Sequence, residues 1–174
     1  FLTDLYEACD AMDIPADSAS SEAGLGQFEI NLAHRDAMAA ADDAWLFKSL
    51  VRGMARRHDM AATFMAKPFP NDSGNGMHVH FSVLDEDGNN VFDDGGPRGT
   101  DLLRHAVAGC IAGMPGGTLL WAPHGNSYAR FAPGAHAPTG ACWAYENRTA
   151  AIRIPSGPHK ARRIEHRVAC GDIN

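Results

Sequence analysis

Asn147-Arg148, then Ile152-Arg153-Ile154-Pro155, then Lys160-Ala161-Arg162-Arg163-Ile164-Glu165-His166-Arg167: this basic run decides the reading of the chain. Six of the 15 lysines and arginines of a 174-residue chain of net charge −6 lie between Arg148 and Arg167, with Glu165 the lone acid among them. Ile152 and Ile154 flank Arg153, and Ile164 and Val168 alternate with Arg163, Glu165 and Arg167. Alternation of this kind predicts strands with one apolar face and one guanidinium face. Crowded guanidinium groups call for anions, and phosphate or carboxylate fits their fork bidentately. The run therefore reads as the floor of an anion site.

The rest of the chain frames that floor. A hydrophobic share of 45% is that of a globular chain, and the length is enough to bury a core. Net acidity argues against a general nucleic-acid binder or a membrane-surface protein. No apolar run reaches membrane-spanning length and no signal peptide opens the chain. Cys9, Cys110, Cys142 and Cys170 are scattered, the pattern of free thiols in a reducing compartment, so a cytoplasmic location is expected. The chain opens at Phe1 without methionine, and an excised piece of a larger protein is expected.

Leu2 to Met12 reads as a short amphipathic helix, Asp17 to Glu22 as an extended segment, and Gln27 to Asn31 as a half-buried strand after a Gly24-Leu25-Gly26 turn. A long helix is expected from Asp36 to about His58 and a second from Thr100 to Gly113. Strands are expected at Ala61–Met65, at Met77–Leu84, near Tyr145 to Ile154 and at Arg163 to Val168. The stretch from Pro115 onward reads as loop. Irregular alternation of helices and strands gives an α+β fold with a largely antiparallel sheet and flanking helices.

Four groups could carry chemistry. In Met77-His78-Val79-His80-Phe81-Ser82-Val83 a period of two puts His78, His80 and Ser82 on one face. Glu22 and Glu29 bracket a glycine turn, so their carboxylates either meet around a divalent cation such as magnesium or manganese or simply face water. Glu165 is either a salt-bridge partner of its arginines or the acid that faces a metal-bridged phosphate. Asn126 to Pro138 is a Gly/Pro-rich segment carrying Arg130 and His136, either an inert connection or a flap over substrate. Arginines and divalent metals around a phosphoryl group recur in phosphoryl transfer, and no P-loop is present.

The ordered set Glu-x-Gly-x-Gly-Gln-x-Glu (22–29), Ala-Thr-Phe-Met-x-Lys-Pro (62–68), Gly-x-Gly-Met-His-x-His-x-Ser (74–82), Asn-Ser-Tyr-x-Arg (126–130), Asn-Arg-x-Ala-x-Ile-Arg-Ile-Pro (147–155) and Lys-Ala-Arg-Arg-Ile-Glu-x-Arg (160–167) resembles the glutamine synthetase family. The resemblance implies part of a catalytic domain of the glutamine synthetase and guanido kinase fold. It implies an ATP-dependent ligase that phosphorylates the γ-carboxylate of glutamate and passes the γ-glutamyl group to ammonia or an amine. It implies Glu22 and Glu29 as ligands of one Mg2+ or Mn2+, and His78 and Glu165 as ligands of a second. His80, Ser82, Arg148, Arg153, Lys160 and Arg163 would contact ATP, with Arg148 and Arg153 stabilising the transferring group. The Gly74 backbone, Arg130 and Arg167 would hold glutamate, and a homo-oligomeric ring is implied.

Two positions depart from the family pattern. His136 stands where ammonia-using members carry a flap glutamate, and Asn71-Asp72-Ser73 precedes Gly74. An imidazole attracts ammonium poorly but can act as a base, which points to a γ-glutamylpolyamine or γ-glutamylamide synthetase. The competing readings are a guanido kinase-like phosphotransferase and a non-catalytic homologue. Without the family's N-terminal β-grasp domain, first catalytic strands and C-terminal helices, the 174 residues alone are expected to be inactive.

Overall fold

A computed structural model describes residues 1–174. The chain divides into two compact units, Phe1–Phe64 (with Asn174) and Met65–Ile173. In the first, helix α1 (Leu2–Ala11) leads into the antiparallel hairpin β1 (Ala16–Ser21) and β2 (Phe28–Leu32), followed by helix α2 (Ala37–Arg57). The Asp36 carboxylate caps α2 by accepting from Met38 N at 3.0 Å, which satisfies one of the free N–H groups of the first turn. Leu5, Cys9, Ile14, Phe47 and Met54 form the core of this unit.

The second unit is built on a four-stranded sheet of order β3-β6-β5-β4, comprising β3 (Val79–Phe81), β4 (Trp143–Tyr145), β5 (Ile152–Ile154) and β6 (Ile164–His166). Both β3–β6 and β6–β5 are antiparallel, and β4–β5 is parallel. Helix α3 (Asp101–Trp121) covers one face, where Leu103, Val107 and Met114 pack with Ile152, Ile154 and Ile164. Thr100 caps α3 by accepting from Leu103 N and donates its own hydroxyl proton to Val91 O. Beside α3, an open apolar groove is lined by Val79, Phe81, Gly113, Trp121 and His166. No helix is long and apolar enough to cross a membrane, and all four cysteines are unpaired.

Four expectations are corrected here. The strand at Ala61–Met65 does not form. The backbone nearby is instead paired by side chains and a loop: Asn126 accepts from Lys67 N at 2.8 Å and donates to Lys67 O at 2.9 Å, while Asn75 donates to Met65 O and Ala66 O. Helix α3 does not stop at Gly113 but runs through Pro115 to Trp121. Proline forfeits one backbone bond, and the helix continues because Met114 and Trp121, on either side of it, both pack on the core. The stretch from Tyr145 to Ile154 is two strands, not one, because Glu146 turns the chain with φ at +52° and β5 returns alongside β4. The expected strand at Met77–Leu84 keeps only Val79–Phe81 in regular pairing.

A carboxylate hub on an arginine face

The registers place the basic run as the alternation predicted. Glu165 on β6 lies opposite His80 on β3 and opposite Arg153 on β5, so all three share the sheet face turned away from α3. Ile164 and Ile152 point the other way into the core. The face is held by Glu165, whose side chain is only 2% exposed. Arg153 Nη1 lies 3.0 Å from Glu165 Oε2, Arg167 Nη1 donates to Oε1, His78 Nδ1 lies 3.3 Å from Oε1 and His80 Nε2 lies 3.8 Å from it.

Further contacts extend the network. Arg163 Nε donates to His80 Nδ1 at 3.1 Å, and Arg167 donates to the backbone oxygens of Arg148 (3.1 Å) and His136 (3.5 Å). The Arg148, Lys160, Ser82 and His136 side chains are exposed. Lys160 rides on a turn clasped by an upstream loop. Asn90 donates to Lys160 O and Arg162 O, Arg162 donates to Gly96 O and Pro97 O, and His159 Nδ1 sits 2.9 Å from both Asp93 oxygens. That clasp has no signature in the sequence beyond the amide and carboxylate residue types.

Burial opposes ionisation of Glu165, but the hydrogen bond from His78 and the charges of Arg167, His78 and His80 outweigh it and hold the carboxyl at about 2. Burial lowers the basicity of His80, against the pull of Glu165, and Arg163 Nε donates to its Nδ1. Because the folded value of Glu165 lies below the ordinary 4.5, its stabilisation is present above that pH and lost as pH falls toward 2. The urea midpoint of the wild type is expected to drop across this window, while Glu165→Gln stays flatter there. Parallel wild-type and variant curves between pH 6 and 2 would remove the assignment.

Arg130 departs from its expected place. It lies at the end of a 3₁₀ turn (Gly125–Arg130), is 4% exposed, and donates to Val168 O at 2.9 Å and Arg167 O at 3.2 Å. The guanidinium is thus spent on backbone carbonyls instead of standing free on a flap. Gly74 and Gly76 pack directly on it: a Cβ at Gly76 would come within 2.5 Å of Arg130 Nη2, and one at Gly74 within 2.6 Å of Ala66 O.

The other two expected metal ligands, Glu22 and Glu29, lie on the β1–β2 hairpin of the first unit. Ser20 pairs with Glu29, so Glu22, two residues beyond Ser20, shares the face of Glu29 as its diagonal neighbour. Both are exposed, and Ser20 Oγ donates to Glu22 Oε1 at 3.4 Å. In the second unit the imidazole–carboxylate pair suits a hard divalent cation. The 3.3 Å separation of His78 Nδ1 and Glu165 Oε1 is close to the ~3 Å between neighbouring ligands of one small ion, and buried Glu165 Oε2 accepts no hydrogen bond. Nowhere do three or more His, Cys, Asp or Glu side chains converge as a ligand set; the positive charge beside His78 and Glu165 is Arg167 Nη1.

Fold and face together define an α+β domain that presents an arginine floor around one ionised, buried carboxylate. Residues 1–174 match the model of the glutamine synthetase catalytic domain. The chain is 48% identical to a gamma-glutamylputrescine synthetase of Escherichia coli over 99% of its own length and 37% of that protein. It is 38% identical to a gamma-glutamylethanolamide synthetase of Streptomyces coelicolor over 92% of this chain and 34% of that one. A glutamine synthetase of Plasmodium falciparum solved by cryo-EM superposes with a TM-score of 0.90 at 26% identity, covering 98% of this chain and 34% of that one. The chain belongs to the glutamine synthetase catalytic-domain family and spans little more than a third of the length of these relatives.

Proposed function

We propose that the protein carrying this chain is an ATP-dependent γ-glutamyl ligase whose acceptor is a primary amine. The observation that carries the reading is the arginine face around Glu165, where Arg153 and Arg167 meet one carboxylate and Arg163 braces His80. In the first step a γ-carboxylate oxygen of glutamate attacks the γ-phosphorus of ATP and ADP leaves. In the second the amine nitrogen attacks the acyl carbon, inorganic phosphate leaves, and the ammonium proton passes to a base.

Arg148, Arg153, Arg163 and Lys160 offset the charge of the phosphates and of the transferring group, and His80 and Ser82 contact the nucleotide. Glutamate is held by the Gly74 backbone and Arg167, with Arg130 supporting that subsite through the carbonyls and glycines it binds. His136, on the segment whose backbone accepts from Arg167, is the base for the amine. Glu22 and Glu29 would hold one Mg2+ or Mn2+, and His78 and Glu165 a second. Such ions, when bound, neutralise and orient phosphate oxygens. With two protein ligands per ion, the remaining positions of each shell would fall to water and phosphate oxygens; a ring of like subunits is part of the same proposal.

An amine is favoured over ammonia by His136, which lacks the fixed negative charge a small cation needs, and by the likeness to two amide synthetases. The test is phosphate release by the whole protein with Mg-ATP and L-glutamate, comparing ammonium with a panel of primary amines. Release with an amine at concentrations where ammonium gives none is expected. Equal release with low ammonium would make it an ordinary glutamine synthetase, and silence with every acceptor would favour the non-catalytic homologue.

A further inference from the structure

A primary amine reaches neutral solution as an ammonium, since alkyl amines of this kind lose their proton only near pH 10. It must approach a face on which Arg153, Arg163 and Arg167 gather, which repels it. Glu165 cannot receive it, being buried and already engaged by Arg153, Arg167 and His78. The face has one further acid. Ala144 pairs with Arg153 and therefore shares its side of the sheet, and Glu146, just past the end of β4, brings its Oε2 to 3.9 Å from Arg153 Nη2.

Glu146 is held there from three directions. Its backbone N–H donates to Ile154 O at 3.2 Å, Oε1 accepts from Ser156 N, and Oε2 lies 3.9 Å from Arg153 Nη2. The residue takes φ +52°, a left-handed conformation that costs a non-glycine residue energy and persists only where the surroundings enforce it. The side chain nevertheless stays 50% exposed, at the rim of the arginine floor. The hydrogen bond from Ser156 keeps the carboxyl below the usual glutamate value, and it is an anion throughout the neutral range.

We infer that Glu146 is the acceptor-binding carboxylate, taking the ammonium of the incoming amine beside Arg153 and supplying the negative charge that His136 does not. The inference rests on the γ-glutamyl ligase reading. It makes Glu146 a determinant of which acceptors are used: cationic amines are held by it, neutral ones are indifferent to it.

Glu146→Gln tests this cleanly, because the amide oxygen can still accept from Ser156 N while the charge is gone. In the whole protein, KM for an alkyl diamine or monoamine is expected to rise about ten- to a hundredfold, as for loss of one charge-assisted hydrogen bond. KM for ATP and glutamate should change less than about twofold by the same reasoning. With hydroxylamine, uncharged at neutral pH, variant and wild type should turn over alike. A purely structural role would lower activity with every acceptor in Glu146→Ala and leave Glu146→Gln unchanged, which overturns the inference. A wild type that turns over ATP with amines while Glu146→Gln keeps its amine KM overturns this inference alone. A wild type silent with all amines and with hydroxylamine overturns the ligase reading and the inference together.

Discussion

Glu165→Ala is expected to cost about 3–5 kcal/mol of folding stability, the scale for removing one partner of a buried charge network, and to abolish nucleotide turnover by the whole protein. The carboxylate is the only anion that Arg167 meets and the nearest one to Arg153, whose side chains are 4% and 15% exposed. Arg153 Nε already lacks a hydrogen-bond partner, and the one other acid near it, the half-exposed Glu146 with Oε2 3.9 Å from Arg153 Nη2, leaves only a long, solvent-screened contact in reserve. Two guanidinium groups would then face each other across β5 and β6 with their counter-ion gone. Glu165→Gln keeps an acceptor for Arg167 and should lose less stability while losing function as fully. Urea unfolding of both variants separates the two effects; a cost under about 1 kcal/mol for the alanine variant would show that the arginines are solvated and the hub is not a structural element.

Arg130→Ala should cost about 2–4 kcal/mol, since it leaves the Val168 and Arg167 carbonyls without their donor and removes the stacking of the guanidinium over Phe131 at 5.6 Å. Lysine is not expected to rescue it. One ammonium cannot reproduce the planar fork that reaches both carbonyls. Gly76→Ala should disturb the same contact from the opposite side, where a methyl group has no room beside Arg130 Nη2. Loss of glutamate affinity with full stability retained would mean that the guanidinium is free for substrate and the buried arrangement is not the one that matters.

The face that carries the chemistry was legible because its period is local. Alternation of Ile152, Arg153 and Ile154, and of Ile164, Glu165, His166 and Arg167, sorts side chains to two sides of a sheet before any partner strand is known, and the helix caps at Asp36 and Thr100 are equally local. His166 shows the limit of the rule. It lies on the apolar face, where burial lowers its basicity and its ring packs on Trp121 at 4.5 Å. Distant contacts were not legible: Asn126 reaching across to Lys67, Asn90 and Asp93 clasping the Lys160 turn, and Arg130 serving carbonyls of a segment more than 35 positions away.

By itself the sequence determined the α+β class, the two-faced strands, the carboxylate among arginines and the family that six ordered motifs define. These depend on residue type and short-range spacing, which the chain carries whether or not it is folded. Only the tertiary structure decided that β4 and β5 run parallel, that α3 outlasts Pro115, that Arg130 is buried and that Glu146 comes to the rim of the arginine face. Each of those depends on which surfaces lose water together and which buried polar groups find partners. That competition is settled between segments far apart in the chain, and no local pattern records its outcome.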